Sequence, residues 1–190
     1  MSRENYNKLS DEEIIANLIK QECTEMFEVL YNRYHTKVLN KCYSFVKNRE
    51  LAGELAGDIF SKTYEKLQSF KHNSSFSSWL YSITYNHCID YLRIKKKLHY
   101  PQWNSENEMA EIVDDSDEAI SDLSYENLMV IMELIHPEEK ALLLMKYQDE
   151  LSIKDISKAL RISDNATKMR LKRARTRVIY LYKKKYKTDD

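Results

Sequence analysis

Glycine and proline are almost missing from this chain of 190 residues: there are two of each. A sequence so short of turn formers has little scope for hairpins, tight loops or Gly-rich phosphate cradles. Cysteine is also sparse. Cys23, Cys42 and Cys88 are odd in number and form no CxxC, which excludes a disulfide framework and a zinc ribbon. They read as reduced, structural thiols. No apolar run reaches the roughly 18 residues of a membrane span, and no signal peptide opens the chain, so the expectation is a soluble, cytoplasmic protein without membrane insertion. Lys and Arg are absent from residues 98–136, where ten acids fall.

That last gap exposes a charge pattern that the net charge of zero conceals. Residues 1–97 carry 15 basic and 12 acidic groups, and residues 137–190 carry 15 and 8. A basic module, an acidic linker and a second basic module point toward nucleic acid far better than the overall balance does. With Tyr frequent and turn formers rare, the chain reads as all-α, with two helical domains.

Helical periodicity supports this along most of the chain. Ser10 caps a first helix whose first turn carries Asp11, Glu12 and Glu13, with Ile14, Ile15, Leu18 and Ile19 as its stripe. Thr24 to about Lys47 repeats Phe27, Leu30, Tyr31, Tyr34, Val38 and Cys42. A third helix, about Glu50 to Gln68, has Leu51, Leu55, Ile59, Tyr64 and Leu67 as candidates for its buried side. After the polar loop Lys71–Ser75 a fourth runs from Phe76 to about Lys97. Four helices make a self-contained bundle over residues 9–97. Residues 98–122 read as a flexible acidic linker, and residues 123–187 as a second helical domain in which Pro137 starts a helix at N1.

That second domain carries a helix-turn-helix. Ser152 to Leu160 is a short capped helix, Arg161-Ile162-Ser163 is a turn, and a long helix follows from Asp164. From Arg161 to Lys187 there are eleven cations and one acid. Thr167, Leu171, Ala174 and Val178 share one stripe and should pack inward. Asn165, Met169, Lys172, Arg173 and Thr176 lie opposite, flanked by Lys168, Arg170, Arg175 and Arg177. Such a helix presents base-reading side chains to the major groove while its flanking cations hold phosphates. Ser163 caps it, and the free amides there suit a phosphate.

Two strings carry a family resemblance. The first is Glu54-Leu55-Ala56-Gly57-Asp58-Ile59-Phe60, followed by a helix containing Phe76, Trp79-Leu80, Ile83, Asn86, Asp90 and Arg93. The second is the Leu151-Ser152…Asp155-Ile156…Leu160 and Lys168…Arg170-Leu171…Arg173-Ala174-Arg175 pattern. The chain resembles RNA polymerase sigma factors of the extracytoplasmic-function type, in the sigma-70 superfamily, with region 2 in the first half and region 4 in the second. The resemblance implies a non-enzymatic transcription-initiation factor. It would bind the β′ clamp helices of core RNA polymerase through Glu54, Gly57 and Asp58. It would hold the −10 promoter element with Lys71, His72, Asn73, Trp79, Asn86, Arg93, Lys95 and Lys96. It would read the −35 element with Ser163, Asn165, Lys168, Met169, Arg170, Lys172, Arg173 and Arg175. An anti-sigma factor is a further partner the resemblance allows. Trp79, Tyr81 and Tyr85 offer stacking faces for unpaired bases, although Trp79 equally suits a core. The acidic linker would mimic nucleic acid in the polymerase channel or shield the basic modules.

The chain departs from the family pattern where Gly57 replaces a usual Gln, Arg161 and Asn165 replace usual glycines, and His87 replaces an apolar residue. Gly53 and Gly57 stand four apart inside a helix, where each costs about 1 kcal/mol relative to Ala. They fit either tight packing within the bundle or close approach of the polymerase helix. No cofactor and no metal site is expected, since no phosphate loop, metal spacing or nucleophile–base pattern is present. The alternative function is a dimeric helix-turn-helix regulator acting without polymerase. A nuclease using Glu54 and Asp58 as metal ligands is a more distant one.

Overall fold

The structure, a computed structural model, describes residues 6–21, 24–96 and 124–186. Cys23 and the acidic linker of residues 98–122 fall outside the described residues. Among those described there are eight α-helices and no strand. The chain divides into two compact units, residues 1–91 and 92–190.

The first unit begins with α1 (Asp11–Gln21), α2 (Thr24–Val46) and α3 (Arg49–Lys66), then a 3₁₀ turn over Leu67–Ser69 and α4 (Phe76–Lys96), whose last turn, from Leu92, falls in the second unit. A reciprocal capping box starts α1. The Glu13 amide donates to Ser10 Oγ at 3.2 Å and the Ser10 amide donates to Glu13 Oε2 at 2.8 Å, satisfying two amides that the helix leaves over. Asp11 then ties α1 to α2, accepting from Arg33 Nη1 at 2.6 Å and from the Tyr34 hydroxyl. Only Lys47 and Asn48 separate α2 from α3. Lys47 adopts the left-handed region (φ 53°), and the Asn48 side chain caps α3 by accepting from the Leu51 amide at 3.0 Å.

Leu30, Val38, Cys42, Leu55, Ile59, Phe76, Leu80 and Ile89 form the core of this unit. The periodic stripes therefore pack largely as their spacing requires, with instructive exceptions. Ile19, Tyr31 and Tyr64 are exposed, because each lies at the margin of its stripe rather than along its centre. Tyr81 and Tyr85 are core residues at 9% and 0% exposure, so neither offers a face to a base. Lys41 on α2 sits over the Tyr81 ring at 4.4 Å and donates to the Tyr85 hydroxyl at 3.1 Å, holding both rings against α2. Cys42 and Cys88 are free and buried, and 46 residues of sequence separate sulfurs that lie 3.8 Å apart. Packing of α2 against α4 brings them together.

Gly53 and Gly57 are exposed on α3, and a Cβ added at either would meet no atom within 4 Å. Tight packing within the bundle is therefore not what either glycine serves.

The second unit contains α5 (Tyr125–Met132), α6 (Pro137–Leu143), α7 (Ile153–Leu160) and α8 (Asp164–Tyr186). Pro137 occupies the first turn of α6 as its fixed φ favours, and His136 Nδ1 accepts from the Glu138 amide at 3.2 Å. A π-turn over Leu144–Gln148 ends that helix. Ile131, Leu142, Met145, Ile156, Leu171, Ala174 and Val178 are its buried apolar centre.

Candidate functional site

In the second unit the site is the helix-turn-helix, and its geometry begins with caps. Ser152 Oγ accepts from the Asp155 amide at 3.1 Å and donates to Asp155 Oδ2 at 2.6 Å, fixing the start of α7. At the other end Arg161 is left-handed (φ 55°, ψ 43°). The Ile162 amide reaches the Ser157 carbonyl at 3.0 Å, and the Arg161 amide reaches Lys158 at 3.3 Å. This is the 6→1, 5→2 pattern of a Schellman cap, whose left-handed position normally holds glycine. Ser163 starts α8 by accepting from the Ala166 amide at 3.1 Å. The Ser157 hydroxyl donates to Asp164, which locks α7 to the first turn of α8. The two helices are thus set by paired caps on either side of three residues.

The inward stripe Thr167, Leu171, Ala174 and Val178 is buried throughout. Asn165, Lys168, Met169 (50% exposed) and Lys172 occupy the outer face, with Ser163 exposed at its head. Arg173 is half-buried beside them. Thr176, placed outward by sequence spacing, is buried and donates to the Lys172 carbonyl at 3.1 Å. Arg170 lies 3.3 Å from Glu138 Oε2, and Arg175 donates to the Tyr147 hydroxyl at 3.4 Å. These two arginines brace α8 against the α6 segment. Glu139, fully buried and 3.5 Å from Arg177 Nε, has its carboxyl pushed above the ordinary range, chiefly by burial.

In the first unit two surfaces carry the predicted residues. On α3, Glu54, Gly57 and Asp58 are all exposed, while Leu55, Ala56, Ile59 and Phe60 face the core. The helix therefore presents an acidic, side-chain-poor face outward. Asp58 Oδ2 stands 3.6 Å from His87 Nε2, and Lys62 Nζ is 2.8 Å from His87 Nδ1. Burial first, and the Lys62 charge second, hold His87 below its ordinary value of 6.5. The imidazole is then neutral at pH 7, with Nδ1 accepting from Lys62 and Nε2–H directed at Asp58, a tautomer assigned from those partners. This link could not be found from sequence, because His87 is far from Asp58 along the chain.

The second surface is the loop before α4. Lys71, His72 and Asn73 are exposed, and His72 takes a left-handed backbone (φ 53°). Its ring lies 4.7 Å from Phe70, which in turn lies 5.0 Å from Trp79. Trp79 is half-buried in this cluster and 5.9 Å from Phe76. Its ring is thus partly packed and partly open to solvent. Asn86 is half-buried on α4, and Arg93 and Lys95 are exposed on its last turns. Lys96 ends the helix, and its side chain lies outside the described residues. The structure thus brings Lys71–Asn73 and Trp79 together but leaves Asn86 and the basic end farther along the helix.

Among the described residues no helix is long and apolar enough to cross a membrane. Residues 30–98 match the sigma-70 region 2 family and residues 125–178 match sigma-70 region 4. The ECF RNA polymerase sigma factor SigW of Bacillus subtilis is 29% identical over 170 residues, covering 83% of this chain and 89% of SigW. The RNA polymerase sigma factor YlaC of the same organism is 26% identical over 153 residues, covering 80% of this chain and 88% of that protein. Among solved structures, CnrH in complex with the cytosolic domain of CnrY shares the fold with a TM-score of 0.62 at 16% identity, covering 92% of this chain and 98% of that one. Two adjacent matches in the order region 2, region 4, with relatives aligned along most of their length, establish that the chain belongs to the extracytoplasmic-function sigma factors of the sigma-70 superfamily.

Proposed function

We propose that this chain is an alternative sigma factor: it binds core RNA polymerase, recognises −10 and −35 promoter elements and starts transcription of a specific regulon. The observation that carries the reading is the division of surface labour. The outward face of α3 is acidic and small, suited to a basic protein partner. The outward face of α8 is cationic with one apolar tip, suited to a major groove. Asp58 and Glu54 meet the β′ clamp helices. Lys71, His72 and Asn73, beside Trp79, hold an unstacked base, while Asn86, Arg93, Lys95 and Lys96 follow the strand. In the −35 groove Asn165, Met169, Lys172 and Arg173 lie nearest the bases, Lys168 flanks them on the phosphate backbone, and Ser163 takes a phosphate. Arg170 and Arg175, engaged with Glu138 and Tyr147, contribute charge from the flank. The site of action is the cytoplasm, where the polymerase works. An anti-sigma partner fits this reading, since the sigma factor RpoE from Bartonella quintana, which shares the fold, was solved in complex with the anti-sigma factor NepR.

The test is run-off transcription from genomic fragments with core polymerase, with and without the chain. Start sites that need the chain and fail with Asp58→Lys or Arg173→Glu support the reading. A chain that never binds core but protects a palindrome as a dimer replaces it with the regulator reading.

A further inference from the structure

The side chain of His87 reaches from α4 to α3 and is only 14% exposed, while both of its neighbours there stand in water. Asp58 is 67% exposed along its side chain, and Lys62 is exposed one turn farther along α3. The two ring nitrogens are served unequally. Nδ1 lies 2.8 Å from Lys62 Nζ, within hydrogen-bond distance. Nε2 is buried and has no hydrogen-bond partner, and Asp58 Oδ2 stands at 3.6 Å, beyond hydrogen-bond reach. Asp58 and Lys62 from α3, and Asp90 from α4 itself, are the charged groups that act on the ring. An apolar residue would fill this half-buried position without leaving a ring nitrogen unpaired, so packing alone does not explain the histidine.

The neutral ring is compatible with Lys62, and the protonated ring is not. An imidazolium donates at both nitrogens and accepts at neither, so it meets the Lys62 ammonium at 2.8 Å as donor to donor and cation to cation. Lys62, on a flexible stem in solvent, gives way. At the other nitrogen the sign is reversed, because imidazolium and carboxylate attract. Closing the 3.6 Å to Asp58 down to the ~2.8 Å of a charge-assisted bond is within reach of an exposed side chain. We propose that His87 is a proton-responsive positioning residue that exchanges Lys62 for Asp58: acid draws an exposed carboxylate of α3 into an ion pair and frees a cation on the same helix. The proposal rests on the reading of α3 as the face that core polymerase meets, and it adds a control on that face. The proton lowers the negative charge there and weakens its attraction for a basic partner. Burial and Lys62 keep the ring neutral at pH 7, so the exchange belongs to pH below the ordinary 6.5.

Binding of the fluorescently labelled full chain to core polymerase from about pH 7.5 to about pH 5.5, each variant referred to the unmodified chain at the same pH, tests it. His87→Gln hydrogen-bonds as a neutral imidazole does but takes no proton. It should match the unmodified chain at the upper end and bind roughly three- to tenfold more tightly at the lower end, the effect of one or two rim charges. Lys62→Met removes the competing cation and should move the midpoint of the affinity loss to higher pH, a shift that a histidine with only a packing role does not produce. NMR of the free chain supplies a readout without polymerase: the Asp58 carboxylate signal should move with the His87 ring titration. Parallel loss of affinity in His87→Gln and the unmodified chain, or an Asp58 signal that ignores the His87 titration, overturns the exchange and leaves the polymerase reading intact. Failure of the unmodified chain to bind core at the upper end overturns that reading and, with it, the control on binding.

Discussion

Arg161→Gly should stabilise the helix-turn-helix, and the size of the gain follows from the backbone. Arg161 holds φ 55° and ψ 43° at the left-handed position of the Schellman cap on α7. An L-residue there costs about 1–2 kcal/mol, from the approach of its Cβ to the following carbonyl. Glycine removes that term but is freer in the unfolded chain, which returns about 0.4–1 kcal/mol. The difference is a net gain of about 0.7 kcal/mol, or roughly a threefold change in an opening equilibrium. The side chain contributes nothing that offsets the loss, being exposed.

Native-state hydrogen exchange on the full chain resolves the effect where it arises. Amides of α7 and the first turns of α8 should gain about threefold in protection, while those of α2 and α3 stay unchanged. Arg161→Asn, which tolerates this backbone better than arginine, should fall between. Unchanged or reduced protection in Arg161→Gly would mean that the arginine is not strained there, and the reasoning from φ to free energy would fail. The substitution also removes a cation next to the DNA-reading helix. A more stable protein that binds promoter DNA less well at low salt would show why an arginine is held at a glycine position.

Three further outcomes are expected. Glu139 has a carboxyl raised by burial, so its contribution is fully present below its unfolded value and is lost as pH rises through the folded one. Glu139→Gln should therefore raise Tm at pH 7, and thermal melts between pH 4 and 8 should show a smaller loss of stability with rising pH. His87 is shifted the other way. Its contribution is present above the ordinary 6.5 and is lost as pH falls below it, so His87→Leu should flatten the decline of Tm between pH 7 and 5. Lys168→Ala should weaken promoter binding across sequences and reduce the log–log salt slope by about 0.9, the value of one phosphate contact. An unchanged slope would move Lys168 off the backbone.

The architecture was legible because α-helical patterning and capping are local. Ser10, Ser152, Ser163 and Pro137 mark helix starts by chemistry that needs no tertiary information, and the stripe from Thr167 to Val178 is buried as its spacing demands. What sequence could not decide was which margin of a stripe finds a neighbour. Tyr64 and Tyr85 are both tyrosines at helical spacing, yet one is 42% exposed and the other 0%. Tyr85 meets α2, where Phe45 packs edge-on at 5.9 Å and Lys41 donates to its hydroxyl at 3.1 Å. Thr176 is the reverse case, placed outward by its spacing yet buried. The Asp58–His87–Lys62 chain and the Cys42–Cys88 contact depend on pairs far apart in sequence, and no local rule reaches them.

Glycine carries the most information about function in this chain because so little of it is present. Two residues that weaken a helix are kept on its exposed face, and nothing within the bundle requires them. The opposite substitution occurs at Arg161, where the cap wants glycine and has a cation. Folding stability alone would reverse both choices. On the proposed function each marks a surface that meets a partner: core polymerase at α3 and a polyanion at the turn before α8. If stability rises and binding falls in both Gly57→Leu and Arg161→Gly, the two surfaces share one logic. If Gly57→Leu binds core normally, the glycine is merely tolerated, and only the turn retains a functional explanation.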